Sequence, residues 1–132
     1  DALPLVMAAI IFLWTPPHFW ALALYRQADY AGVAVPMLPV TAGPAATRWQ
    51  ILAYAVVLLP VALLPTLLGE LGWIYGAAAL ALGAIFVGHA WALWRRADDA
   101  AALRIFRFSL AHLFVLFLFM AIDRAVAGGW TP

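Results

Sequence analysis

Apolar residues run along this chain in four long blocks, Ala2 to Tyr25, Trp49 to Leu68, Trp73 to Trp94 and Ile105 to Ala127, separated by turns or proline-rich links. Each block is long enough to cross a hydrocarbon core about 30 Å thick at about 1.5 Å per helical residue. No set of alternating apolar and polar strands is visible, and backbone amides in lipid must be paired within their own segment. The pattern predicts an all-α fold: a polytopic membrane helical bundle of four transmembrane helices, forming a single domain over residues 1–132.

Composition agrees. Of the 132 residues, 68% are hydrophobic and 10% charged, an imbalance that a water-soluble domain of this size could not keep off its surface. The formal net charge is +1 with no basic run, so nothing points to nucleic acid. The absence of cysteine excludes disulfides and thiolate metal sites. The chain begins at Asp1 and enters an apolar block without the basic flank of a signal peptide, so it reads as a fragment of a longer protein.

Arginine placement orients the spans. Arg26 and Arg48 flank the first connection and Arg95, Arg96, Arg104 and Arg107 the third, whereas the second carries only Glu70. The positive-inside rule makes the first and third connections cytoplasmic and leaves Asp1, the Gly69 to Gly72 turn and the C-terminus outside. Trp49 and Trp94 then mark one membrane border, Trp73 and Trp130 the other.

The connections differ in kind. Glu70 to Gly72 predicts a tight turn, and Arg95 to Arg104 a short solvated loop. Gln27 to Thr47 is long, contains Pro36, Pro39, Gly43 and Pro44, and is apolar from Val33 to Val40. An ordered link of that type is expected to fold back as a cap over a cavity. Gly72, Gly76, Gly83 and Gly88 are expected to let the third helix approach its neighbours closely, and Pro60 and Pro65 to kink the second.

Candidate chemistry gathers near the end of the first span. In Phe12-Leu13-Trp14-Thr15-Pro16-Pro17-His18-Phe19-Trp20, two prolines are expected to interrupt the helix and bring His18, Trp14 and Trp20 to the break. Tyr25, Arg26, Asp29 and Tyr30 follow within a few helical turns, and ionisable groups at membrane depth are functional by default. His18, His89 and His112 lie five to seven residues from a span border. That puts all three roughly 8–12 Å inside the cytoplasmic face, able to converge on one cavity. The plainer alternative for His89 and His112 is a satisfied interhelical hydrogen bond, with Ser109 as the one polar neighbour on His112's helix.

The run Trp14-Thr15-Pro16-Pro17-His18-Phe19-Trp20-Ala21-Leu22, with Asp29-Tyr30 and Val35-Pro36-Met37-Leu38-Pro39-Val40, resembles the heme O synthase branch of the UbiA-type intramembrane prenyltransferases. The likeness continues through Phe106, Ser109, Met120 and Asp123. It implies that these four spans are the last of about nine, with the link at 27–47 capping a central cavity on the cytoplasmic side of a bacterial-type inner membrane. It further implies transfer of farnesyl from farnesyl diphosphate to a vinyl group of protoheme IX, with Mg²⁺ as cofactor and heme as substrate, and a link to heme A synthase or oxidase assembly proteins. The implied roles are Asp29, Arg26 and Tyr30 in catalysis, Asp29 through Mg²⁺ with Tyr25 at the diphosphate, and His18, Trp14, Trp20 and His112 at the heme. His18 would ligate iron or hydrogen-bond a propionate. The superfamily's second aspartate motif is incomplete here, with Ala28 and Val33 where Lys and Asp are expected, and His112 stands where tyrosine is expected. Two other readings compete. In one, a non-enzymatic subunit holds a b-type heme between two of His18, His89 and His112. In the other, a transporter has a broken midplane helix, which the depth of the prolines disfavours.

Overall fold

The computed structural model describes residues 3–25 and 43–126. They form four α-helices, α1 (Leu3–Tyr25), α2 (Pro44–Leu67), α3 (Trp73–Arg96) and α4 (Asp99–Val126), with no strand among the described residues. All four are long and apolar enough to span a membrane. Each packs on the next and α1 packs on α4, which closes the ring. Leu24, Arg48, Leu93, Asp98 and Ala102 meet at one end, and Leu3, Met7, Leu71 and Met120 at the other. Neighbours are therefore antiparallel, and both arginine-flanked connections share an end.

Buried positions recur every three or four residues: Tyr75, Ala79, Gly83, Phe86, Ala90 and Leu93 in α3, and Ile105, Ser109, His112, Leu116, Met120 and Asp123 in α4. That spacing is the seam of a helical bundle with near-parallel axes. The outer faces are equally apolar, with Leu5, Phe12, Trp73 and Phe114 exposed; they suit hydrocarbon, in which an apolar side chain needs no cover.

The helix ends are closed by specific bonds. After α2, the Gly69 N–H donates to the Thr66 carbonyl (3.1 Å) and the Glu70 N–H to the Pro65 carbonyl (2.9 Å). This Schellman closure needs the left-handed φ of 80° at Gly69. At the start of α3, Gly72 offers no capping side chain, and α4 supplies one instead. Asp123 Oδ1 accepts the Gly72 N–H and Oδ2 the Tyr75 N–H, both at 2.8 Å. A buried carboxylate thus meets the positive end of a neighbouring helix. A Cβ at Gly72 would lie 3.2 Å from that oxygen, so the absent side chain permits the approach.

Several expectations are revised. The solvated loop from Arg95 to Arg104 shrinks to Ala97 and Asp98, because Asp98 caps α4: its Oδ1 accepts the Ala101 N–H at 2.8 Å. The long first link ends earlier than Thr47, since α2 begins at Pro44 and the Thr47 hydroxyl donates to the Gly43 carbonyl at 2.9 Å; the cap expected from the rest of that link lies outside the described residues. The prolines do not interrupt α1, which runs unbroken through Pro16 and Pro17, just as α2 runs through Pro60 and Pro65. Without water to compete for backbone groups the helix persists, and the Thr15 hydroxyl adds a bond to the Ile11 carbonyl just before them (2.7 Å).

The glycines of α3 also divide. An added Cβ would come within 2.9 Å of Thr66 Oγ1 at Gly76 and of Leu59 Cγ at Gly83, whereas at Gly88 it would meet nothing within 4 Å among the described residues. Gly72 and Gly76 serve contacts inside the chain, and Gly88 makes no close approach. In detergent unfolding, Gly83→Ala is expected to destabilise by about 1–3 kcal/mol, whereas Gly88→Ala should be neutral or stabilising by about 0.5–1 kcal/mol. Equal shifts would contradict the packing. Asp123→Ala should cost about 1–3 kcal/mol by stranding the buried Tyr75 N–H and removing the partner of the part-buried Gly72 N–H, and an unchanged midpoint would contradict the cap.

Candidate functional site

Trp14 and His18 stand one helical turn apart on α1, and Phe106 and Ser109 one turn apart on α4. Where the helices meet, the His18 imidazole stacks with rings from both. Trp14 of α1 stacks at 4.4 Å and 16°, Phe106 of α4 stacks at 4.7 Å and 20°, and Phe19 adds an edge contact at 5.3 Å. Ser109 ties the assembly together. Its carbonyl accepts the Trp14 indole N–H at 2.8 Å, its hydroxyl lies 2.5 Å from His18 Nδ1, and that hydroxyl donates to the Phe106 carbonyl at 2.6 Å. Polar atoms in an apolar seam need such partners, because a lost one costs the full desolvation penalty. The result is an imidazole fixed in plane, tilt and depth. Beside Trp14, an apolar groove of about 500 Å³ runs over Leu110, Leu113, Phe114 and Phe117 of α4.

The other candidates are placed elsewhere. His112 is fully buried on the α3/α4 seam, edge-on to Phe86 (5.0 Å) and Phe108 (6.0 Å), and both its ring nitrogens lack a hydrogen-bond partner among the described residues. The satisfied hydrogen bond expected for it is replaced by aromatic packing. His89 leans on Phe108 at 5.1 Å. The three imidazoles do occupy one layer, since residues 106–112 of α4 touch all three, but they divide between two seams instead of converging on one cavity. Among the described residues, no three His, Asp or Glu side chains come close enough to hold a metal ion. Trp20, two residues beyond His18 and so about 200° further round the helix, packs against Tyr54 of α2 at 5.3 Å. The structure therefore unites Trp14 and His18 but not Trp20 or His112. Tyr25 ends α1 and is exposed; Arg26, Asp29 and Tyr30 lie outside the described residues.

In the sequence, Ser109 and Phe106 stand out only as marks of resemblance, and Ser109 as a polar neighbour of His112. The signal that could have found them is their spacing of three residues on an otherwise apolar helix at His18's depth.

Fold and site together define an integral membrane helical bundle with a rigid histidine-centred aromatic cluster between its first and last helices. The sequence pattern of the UbiA prenyltransferase family matches residues 1–123, and the chain belongs to that family. Similar curated proteins include two named protoheme IX farnesyltransferase, from Chloroflexus aurantiacus (52% identical over 123 residues, covering 93% of this chain and 21% of the relative) and Leptothrix cholodnii (56% over 119 residues, 90% and 39%). A third of that name, from Parvibaculum lavamentivorans, is 48% identical over 132 residues, covering 97% of this chain and 42% of the relative. The chain thus spans between a fifth and about two-fifths of the length of these relatives. No solved structure matches it.

Two substitutions separate stacking from hydrogen bonding at the cluster. Trp14→Phe keeps a ring but removes the donor to Ser109, with an expected cost of about 1 kcal/mol, whereas Trp14→Ala removes both and should cost about 3–5 kcal/mol. Equal losses in thermal or denaturant unfolding would show that the ring stack contributes nothing.

Proposed function

We propose that this chain forms the heme-facing part of an intramembrane prenyltransferase that moves a farnesyl group from farnesyl diphosphate to a vinyl group of protoheme IX, giving heme O. The observation that carries the reading is the rigid His18 cluster at the α1/α4 seam, in a chain about half identical to proteins named for that reaction. In the reaction the farnesyl C1–O bond breaks and diphosphate leaves with the electron pair. The vinyl π electrons form the new C–C bond, and water adds to the resulting cation with loss of a proton.

The chain's residues would divide the work. Asp29 would supply one carboxylate towards Mg²⁺, with Tyr25 nearby, while the remaining ligands come from elsewhere in the protein. Such an ion offsets the charge growing on the diphosphate, and Arg26 would add a second positive group. Tyr30 would offer an aromatic face to the allylic cation, an attraction of about 1–2 kcal/mol when desolvated. His18 and Trp14 would hold the porphyrin, and the apolar groove beside Trp14 suits an isoprenoid chain or a porphyrin face, since its lining carries almost no polar surface. The link before α2 would close the site from the cytoplasmic side of a bacterial-type inner membrane, and the product would pass to heme A synthase or oxidase assembly proteins.

A heme held between two of the three histidines finds less support. Bis-axial ligation needs two ring edges facing one gap, yet His112 is enclosed by Phe86 and Phe108 on a different seam from His18.

In membranes containing the intact protein, His18→Ala and Asp29→Ala are each expected to reduce heme O formation from protoheme IX and farnesyl diphosphate by about a hundredfold or more. Near-normal product from both variants would reject the site.

A further inference from the structure

The two roles open to His18, ligand to iron or donor to a propionate, require opposite things of its outer nitrogen. A metal ligand needs a lone pair at Nε2, whereas a donor to a carboxylate needs a proton there. In a neutral imidazole, what the inner nitrogen does decides between them.

The inner nitrogen faces Ser109. The Ser109 hydroxyl has a single proton, and it is committed to the Phe106 carbonyl at 2.6 Å. The oxygen can then only accept from Nδ1, 2.5 Å away. His18 is thereby fixed as the Nδ1–H tautomer, and Nε2 carries a lone pair with no hydrogen-bond partner among the described residues. Unlike both nitrogens of His112, Nε2 is not among the buried, unpartnered atoms. Stacking sets its plane: Trp14 and Phe106 lie nearly parallel to the ring at 16° and 20°, and Phe19 meets it edge-on, which fixes the plane in which the edge atoms point. The Nε2 lone pair lies in that plane, on the side of the ring away from Ser109.

We infer that Ser109 is a positioning residue that locks His18 with its Nε2 lone pair outward, so that this histidine is an axial ligand to the iron of the bound porphyrin and not a donor to its propionates. The inference rests on the reading of His18 as a heme contact. A hydroxyl relayed to a helix carbonyl here takes the part that a carboxylate or carbonyl commonly plays behind a metal-bound histidine, fixing tautomer and orientation.

The test uses the intact protein in lipid nanodiscs with two probes, ferric protoporphyrin IX and metal-free protoporphyrin IX, which share propionates and shape but not iron. Ser109→Ala is expected to weaken the ferric porphyrin by about tenfold or more and alter its axial-ligand absorption and paramagnetic resonance spectra, while metal-free porphyrin binds as before. Ser109→Thr, which keeps the hydroxyl, should restore both readouts. Equal weakening of the two porphyrins, or none of either, overturns the inference. Should Ser109→Ala fail to fold, the unsubstituted protein still decides: with ¹⁵N at histidine Nε2, nitrogen hyperfine coupling to ferric iron is expected, and its absence overturns the inference. Farnesyl transfer is assayed on the same samples. Turnover without the coupling defeats the inference alone, and coupling without turnover supports it while defeating the proposed reaction.

Discussion

A polar group in hydrocarbon has no solvent to fall back on, and this constraint organises the bundle. An unmet donor or acceptor costs more than most single contacts return, and Asp123 and Ser109 sit where two helices can serve each other, whereas the His112 nitrogens and the Tyr75 hydroxyl stay unpartnered among the described residues. Asp123 closes the first-turn amides of α3 from α4, and Ser109 uses both its carbonyl and its hydroxyl to hold Trp14 and His18 of α1. Two such ties, one near the middle of α4 and one near its C-terminal end, set that helix in register against both neighbours.

Rigidity at the α1/α4 seam has a functional consequence. An imidazole on a lone helix rotates among rotamers, and a porphyrin would have to arrest it on binding. Here the stacked rings and the serine remove that freedom in advance, so less ordering accompanies ligand binding. His112 makes the contrast: buried among Phe86 and Phe108 with neither nitrogen engaged, it is packed as an aromatic ring, in keeping with the tyrosine expected at its position.

The spans and the antiparallel order were legible from block length and arginine placement, because lipid thickness and charge asymmetry act on single segments. The faces were not. The helices are apolar all round, so periodicity does not tell a seam from a lipid face, and Gly83 at a seam looks in sequence like Gly88 with nothing near it. Helix ends were misjudged where a short-range bond overrode composition: the charged run after Trp94 reads as loop until Asp98 is recognised as a cap. The unbroken passage through Pro16 and Pro17 follows from surroundings that no local rule contains. At the site, His18 and Trp14 stood out in their own motif, but Ser109 lies 91 residues away in sequence, and nothing local announces which helix will face which.

The tautomer of His18 in the ligand-free protein is the most direct test of this account, because a bundle organised by internal pairing leaves it no choice. Nitrogen-15 magnetic resonance of the histidine-labelled protein in lipid, assigned by His18→Gln, is expected to give a protonated, pyrrole-type Nδ1 and a bare, pyridine-type Nε2 for this residue. The reverse pattern, or rapid averaging of the two forms, would show that Ser109 does not hold the imidazole and that the seam is not built as described.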